Sequence, residues 1–150
     1  MKTNYLVPAL ALLFLLIAPN VISQTYVSPS RELVQQLLNE IDKCKKDLAN
    51  AEKGMAVMKK NPSEYSLETY LWVENLAKEA KECIAYNRKE LDKLRDDYPG
   101  WFNSPSALAE LNIRHPLFRT MQEVMADLND MQAKIDAILA RFKEFQKPEH

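Results

Sequence analysis

Apolar residues recur at alternating intervals of three and four along most of this chain. In the first run the alternation is unbroken over eight positions: Val34, Leu37, Ile41, Cys44, Leu48, Ala51, Met55 and Met58. Such a heptad repeat places a narrow apolar stripe on one face of an α-helix, and the stripe leaves water only by packing against another helix. We therefore expect long helices packed side by side in a coiled-coil-like manner.

Two further runs have the same spacing. The second consists of Tyr70, Val73, Ala77, Ala80, Ile84, Asn87, Leu91, Leu94 and Tyr98, and the third of Leu117, Met121, Val124, Leu128, Met131, Ile135, Ile138, Phe142 and Phe145. The chain of 150 residues contains two glycines, whereas a β-rich fold needs glycine in its turns. The predicted fold class is all-α.

Serines and prolines delimit the first two predicted helices. The pair Ser28-Pro29 opens the first, over about 29–60, because proline is favoured at the first helical position. Ser63 or Ser66 caps the second, over about 64–98, and Pro99 follows it.

A third long helix and a short one are predicted in the remaining sequence. A short helix over about 105–111 follows a second Ser-Pro pair, and His115-Pro116 opens the long helix, over about 116–146. Short connections between long amphipathic helices favour antiparallel neighbours. Residues 24–150 are therefore predicted to form an antiparallel three-helix bundle, in which Leu37 lies opposite Leu91.

Residues 1–23 have the composition of a secretory signal peptide. Lys2 is their one charged side chain, an apolar stretch follows from Leu6 to Ala18, and Ser23 offers a small residue at the cleavage position. An uncleaved membrane anchor is the alternative, but Pro8 and Pro19 interrupt a stretch near the short limit of the roughly 17–25 residues that a spanning helix needs. We predict export to the periplasm or the extracellular space, with no stable membrane insertion after cleavage.

The two cysteines, Cys44 and Cys83, fall near opposite positions of the antiparallel first and second helices. Because thiols pair in oxidising compartments, an exported chain is expected to join them in an intramolecular disulfide. Two buried free thiols are the alternative. Beside them, Asn87 interrupts the apolar second run, either as a buried amide that fixes register or as a side chain turned to water.

The sequence offers no recognisable catalytic or metal site. The chain has two histidines, and it contains no zinc-binding motif and no glycine-rich phosphate loop. Asp127 and Asp130 lie on one helix face, a pattern far more typical of solvated surface than of a cation site. With 20 basic and 21 acidic side chains, the chain also lacks the positive charge that nucleic acid attracts. We expect no enzyme activity, no cofactor and no nucleic-acid partner.

Three function hypotheses remain for an exported helical scaffold. The first is a protein–protein interaction module, meaning an adaptor, a component of an envelope assembly or an inhibitor of a partner protein. Its expected partner surface is Trp101, Phe102 and Met125. The alternatives are a carrier of a small apolar ligand in the bundle core, beside the thin Ala51–Ala77 layer, and a helical chaperone for exported chains.

Overall fold

The computed structural model describes residues 26–149, and this part of the chain consists of helices without any strand. Its five helices are α1 (Arg31–Lys60), α2 (Leu67–Asp97), α3 (Pro99–Phe102), α4 (Ala107–Glu110) and α5 (Met121–Phe142). The predicted all-α class is confirmed. The predicted signal peptide, residues 1–23, lies outside the described residues.

α1 buries its entire apolar seam. All eight positions of the first heptad run are buried, together with Leu38 and Gly54. The helix begins at Arg31 because the Oγ of Ser30 accepts a hydrogen bond from the Leu33 N–H at 3.2 Å and so caps the first turn. The predicted start at Pro29 is therefore two residues too early.

α2 is capped by the second of the two predicted serines. The Oγ of Ser66 accepts from the Thr69 N–H at 3.1 Å, and the helix starts at Leu67. The seven interior positions of the second run are buried: Val73, Ala77, Ala80, Ile84, Asn87, Leu91 and Leu94. Tyr70 and Tyr98, at the two ends of the run, are half-buried and pack against the core.

α1 and α2 run antiparallel and approach each other closely. A Cβ atom added to Gly54 would lie 2.9 Å from Cγ2 of Val73, which is closer than carbon atoms pack. Cys44, ten residues before Gly54 on α1, is bonded to Cys83, ten residues after Val73 on α2. Moving back along one helix thus moves forward along the other. Glycine at position 54 thus allows α1 and α2 to approach each other more closely than a larger residue would.

α5 lies against both of these helices. The Lys45 Nζ is 2.8 Å from the Asp127 carboxylate, which joins α5 to α1, and the rings of Tyr70 and Phe142 lie 4.7 Å apart, which joins α5 to α2. Arg88 of α2 also donates to the side-chain oxygen of Asn129. The helix therefore runs in the direction of α1 and opposite to α2, as the heptad register predicts.

The predicted start of the third long helix at His115-Pro116 is wrong. The helix begins at Met121, after a capping box in which Thr120 Oγ1 accepts from the Glu123 N–H at 3.1 Å and the Glu123 carboxylate accepts from the Thr120 N–H at 3.3 Å. Leu117, a member of the predicted seam, is consequently 58% exposed. The helix ends at Phe142, so Phe145 packs on the core from beyond its last turn.

The segment between α2 and α5 is part of the core. Trp101, Phe102, Leu108, Ile113 and Phe118 are all buried in the same cluster as the helix seams. α5 has 22 residues and α1 has 30, so at about 1.5 Å per residue α5 is shorter by about 12 Å. We infer that the connecting segment, with α3 and α4, covers the length of α1 and α2 that α5 leaves.

This segment also corrects two predicted boundaries. Pro99 follows the end of α2 at Asp97, as predicted, and it begins the single turn of α3, which the sequence did not predict. The short helix predicted over 105–111 is α4, Ala107–Glu110, and it is followed by Asn112 with a φ of 58°. A left-handed residue at this point reverses the chain toward Ile113, since asparagine tolerates that conformation better than most residues.

Two leucines of the third run test the assignment of the core. Leu128 is fully buried, and Leu128→Ala is expected to lower the free energy of unfolding by about 2–5 kcal/mol because it leaves a cavity. Leu117→Ala removes the same atoms from an exposed position and should stay within about 0.5 kcal/mol of the parent chain. Urea unfolding of both variants measures the difference, and similar losses would contradict the observed start of α5.

The capping box gives the stability of α5 a pH dependence. Hydrogen bonds from the backbone N–H groups of Arg119 and Thr120 lower the pKa of Glu123 below its ordinary value of 4.5. The stabilisation is therefore fully present above that value and is lost as the pH falls through the lower pKa of the folded chain. We expect the difference in stability between the parent and Glu123→Gln to shrink over this range.

Denaturant unfolding between pH 6 and 3 measures this difference. Glu82→Gln is the matched control, because the Glu82 side chain is exposed and makes no hydrogen bond within the described residues. If the difference in stability between the parent and Glu123→Gln grew as the pH fell, the carboxylate would not be stabilising the start of the helix.

Candidate functional site

Cys44 and Cys83 are joined in a disulfide within one chain, with their Cα atoms 5.5 Å apart. Cys44 is completely buried in the α1 seam and Cys83 is half-buried on α2. The pairing predicted from the antiparallel register is confirmed, and the alternative of two free thiols is not. The bond fixes α1 to α2 near the middle of both helices.

Asn87 lies directly beside this disulfide and is 1% exposed. Its Nδ2 donates to the Cys83 carbonyl at 2.9 Å and lies 3.2 Å from the Sγ of Cys44. Its Oδ1 is buried and has no hydrogen-bond partner in the described chain. Of the two predicted roles of Asn87, the structure shows the buried amide. An unpaired buried acceptor of this kind costs about 1–3 kcal/mol.

A groove of about 330 Å³ opens between α1 and α2, and Asn87 is one of its lining residues. We call it the α1–α2 groove. Its apolar and aromatic lining is Leu33, Leu37, Tyr86, Leu94 and Tyr98. Leu33 is 46% exposed and Tyr86 is 60% exposed. No residue of α5 lines the groove, so it belongs to the α1–α2 pair alone.

The charged side chains of the groove are mostly acidic. Glu40 stands on α1, and Glu90 and Asp97 stand on α2, about one and about three turns farther along than Asn87 and Tyr86. Lys93 is the one cation among the lining residues. Carboxylates beside apolar walls produce a negative local potential that favours a cationic ligand.

The structure corrects the expected partner surface at Trp101 and Phe102. Trp101 is fully buried, and its Nε1 donates to the Ala107 carbonyl at 2.9 Å. Phe102 is also buried, and its carbonyl accepts from the Gln122 side chain at 3.0 Å. Neither ring offers a surface to a partner in this fold. Met125 is half-buried and packs against the core.

His115 acts as a structural contact between the connecting segment and α1. Its Nδ1 accepts from the Leu117 N–H at 3.1 Å, so the proton is on Nε2, which donates to Asp42 at 3.0 Å. The ring also stacks on Phe118 with centroids 4.8 Å apart. Both nitrogens of His115 are thus engaged in holding the segment in place.

Asp127 and Asp130, the two aspartates on one helix face, are each paired with a lysine. Asp127 contacts Lys45 of α1, and Asp130 contacts Lys134 on the next turn of α5, at 2.8 Å each. Within residues 26–149 no cluster of three or more histidine, cysteine or carboxylate side chains is arranged to hold a metal ion.

A larger and more polar depression lies at the other end of the molecule. It has a volume of about 600 Å³ and is lined by Tyr65, Phe145, Lys59, Arg141 and Glu144, among others. The Tyr65 hydroxyl donates to the backbone carbonyl of Gln146, which ties the C-terminal segment to the start of α2. The cationic side chains of this depression share it with the Glu144 carboxylate, and none of its lining residues has an unpaired buried polar atom.

None of the helices in the described part of the chain is both long enough and apolar enough to cross a membrane. Comparisons with protein-family models, with curated proteins and with solved structures found no match to this chain. The residues of the α1–α2 groove therefore have to be interpreted from their own chemistry.

The groove could not be predicted from the heptad pattern, because that pattern follows the buried seam only. Leu33 and Tyr86 lie off the seam, yet they are apolar or aromatic on otherwise polar helix faces. In the antiparallel register they fall toward the same end of the α1–α2 pair. Apolar residues beside the seam, mapped onto both helices together, are the sequence signal that would have located the groove.

Removal of the disulfide should destabilise the chain substantially. The bond closes a loop of 39 residues, which corresponds to about 4 kcal/mol of denatured-state entropy in the chain-entropy model. We expect the double variant Cys44→Ala/Cys83→Ala to unfold at markedly lower urea concentration and to be insensitive to a reducing agent. A parent chain whose unfolding midpoint is unchanged by reduction, or whose non-reducing peptide map shows no Cys44–Cys83 peptide, would contradict this.

Proposed function

We propose that this chain is an exported, non-enzymatic protein–protein interaction module, serving as an adaptor or as a component of an envelope assembly. In this proposal residues 1–23 are a cleaved signal peptide, and the three long helices, α1, α2 and α5, form an antiparallel three-helix bundle. The partner docks on the α1–α2 groove rather than on the Trp101–Phe102 segment.

One observation supports the groove as the docking site. It combines exposed apolar and aromatic side chains with a buried amide that lacks a hydrogen-bond partner. Core positions are normally apolar, and buried polar groups are normally paired, so Asn87 weakens the fold where an apolar residue would strengthen it. An unpaired group beside an open groove is the arrangement expected where a partner supplies the missing contact.

The disulfide supports the exported location. Disulfides persist in oxidising compartments and are rare in the reducing cytosol, so the Cys44–Cys83 bond is compatible with the export predicted from residues 1–23. A tied α1–α2 pair also presents its groove in one geometry. Binding by such a rigid surface avoids much of the ordering entropy that a flexible segment loses.

The alternative of an apolar-ligand carrier has less support. Ala51 and Ala77 are completely buried, and the larger side chains of Leu76 and Ile138 pack on the core around this level of the helices. The thin layer is thus filled by the protein itself. The chaperone alternative requires a broad concave apolar face, whereas the α1–α2 groove has a volume of about 330 Å³ and carries four charged side chains.

A photo-reactive phenylalanine analogue at position 86 tests the proposal. The full chain carrying it is produced in its natural host and irradiated in intact cells. We expect a discrete covalent adduct with another protein in the envelope or the medium, on a chain whose N-terminus lies at or near Gln24. The Tyr86 position is chosen because it is the most exposed aromatic residue of the groove.

The same analogue at Ala133 provides the control, since Ala133 is exposed on α5, away from the groove. Equal adducts from both positions, no adduct from position 86, or a chain that keeps Met1 and stays inside the cell would each overturn a part of the proposal. The first two outcomes reject the groove as a docking site, and the third rejects export.

A further inference from the structure

We propose that the α1–α2 groove receives an arginine side chain of the partner protein. This inference rests on the proposed function, since it names the chemistry that the docking site recognises. Three features of the groove carry it: an unpaired buried acceptor, an excess of carboxylates, and apolar and aromatic walls. Each feature restricts the occupant further.

The unpaired acceptor requires a hydrogen-bond donor. Asn87 cannot turn its amide to satisfy itself, because Nδ2 is engaged by the Cys83 carbonyl and lies against the disulfide sulfur. The free atom is therefore Oδ1, an acceptor that solvent does not reach in the free chain, so a donor in the groove contacts it only when the lining side chains move apart. Carboxylates and carbonyl groups of a partner cannot meet this need, whereas an N–H or O–H group can.

The charges of the groove select a cationic donor. Glu40, Glu90 and Asp97 line it against a single cation, Lys93. None of these three carboxylates forms an ion pair with a basic side chain of the described chain within 4.0 Å. Their charge is consequently available to a cation that enters the groove, and a hydrogen bond to an ionised group is stronger than a neutral one.

The walls favour arginine over lysine. An arginine side chain can lay its methylene stem along Leu37 and Leu94, and its planar guanidinium can stack on a tyrosine ring. The guanidinium has five N–H donors, so it can satisfy Asn87 Oδ1 and a carboxylate at once, and it is more weakly hydrated than an ammonium. A volume of about 330 Å³ suits one long side chain better than a whole partner helix.

The probe for this inference is N-acetyl-arginine methylamide, added to the full-length mature chain and followed by NMR. We expect saturable shifts of the Asn87 side-chain amide and of the Leu37 and Leu94 methyl groups. The lysine analogue should bind at least threefold more weakly, and the uncharged citrulline analogue should not bind measurably. Equal binding of all three analogues, or shifts elsewhere on the surface only, would overturn the inference.

Two variants separate recognition from folding. Glu90→Gln should weaken arginine binding at least threefold, whereas Glu52→Gln, which makes the same charge change on α1 beside α5 and outside the groove, should leave it unchanged. Asn87→Leu replaces the unpaired amide with an apolar side chain of similar shape, so we expect reduced arginine binding without a lower midpoint of thermal unfolding. If Asn87→Leu bound arginine normally, Oδ1 would take no part in binding, and the proposed contact would be wrong.

The outcomes of the two experiments are distinguishable. Capture of a protein at position 86, together with no preference for the arginine analogue, rejects the arginine inference and leaves the interaction module standing. Binding of the arginine analogue in the groove, together with no captured protein, rejects the proposed protein partner and leaves the chemistry of the groove standing.

Discussion

The close antiparallel contact between α1 and α2 is the constraint on which the remaining packing depends. The two helices have 30 and 31 residues, so they match over almost their full lengths, and Gly54 lets Val73 approach the α1 backbone. The disulfide fixes this register near its centre. With the pair held in one alignment, α5 and the connecting segment each meet a surface of defined shape, which is what a close-packed core requires.

Much of this core could be predicted from the sequence because heptad spacing fixes which helix face is buried. Every position of the first run is buried, and the pairing of Cys44 with Cys83 follows from the antiparallel register. Spacing does not determine where a helix starts. Leu117 fits the third run, but the capping box at Thr120 and Glu123 satisfies the backbone N–H groups later in the chain, and the local hydrogen bonds decide the boundary.

The connecting segment was the least predictable part for a different reason. Trp101 and Phe102 have no periodic pattern, and a proline and a glycine precede them, so the sequence resembles an exposed linker. Their burial follows from the unequal lengths of the helices, since a short α5 leaves apolar surface on α1 and α2 that large rings can cover. This is a property of the assembled helices, and local sequence contains little information about it.

The α1–α2 groove exists because the third helix covers only one side of the pair. α5 and the connecting segment bury the seam from that side, and the opposite side retains Leu33 and Tyr86 at the surface with Asn87 between the helices. An apolar residue at position 87 would continue the seam and remove an unpaired acceptor, so asparagine there lowers the stability of the free chain. In the proposed interaction, the side chain that costs the free chain stability is the one that a donor of the partner contacts.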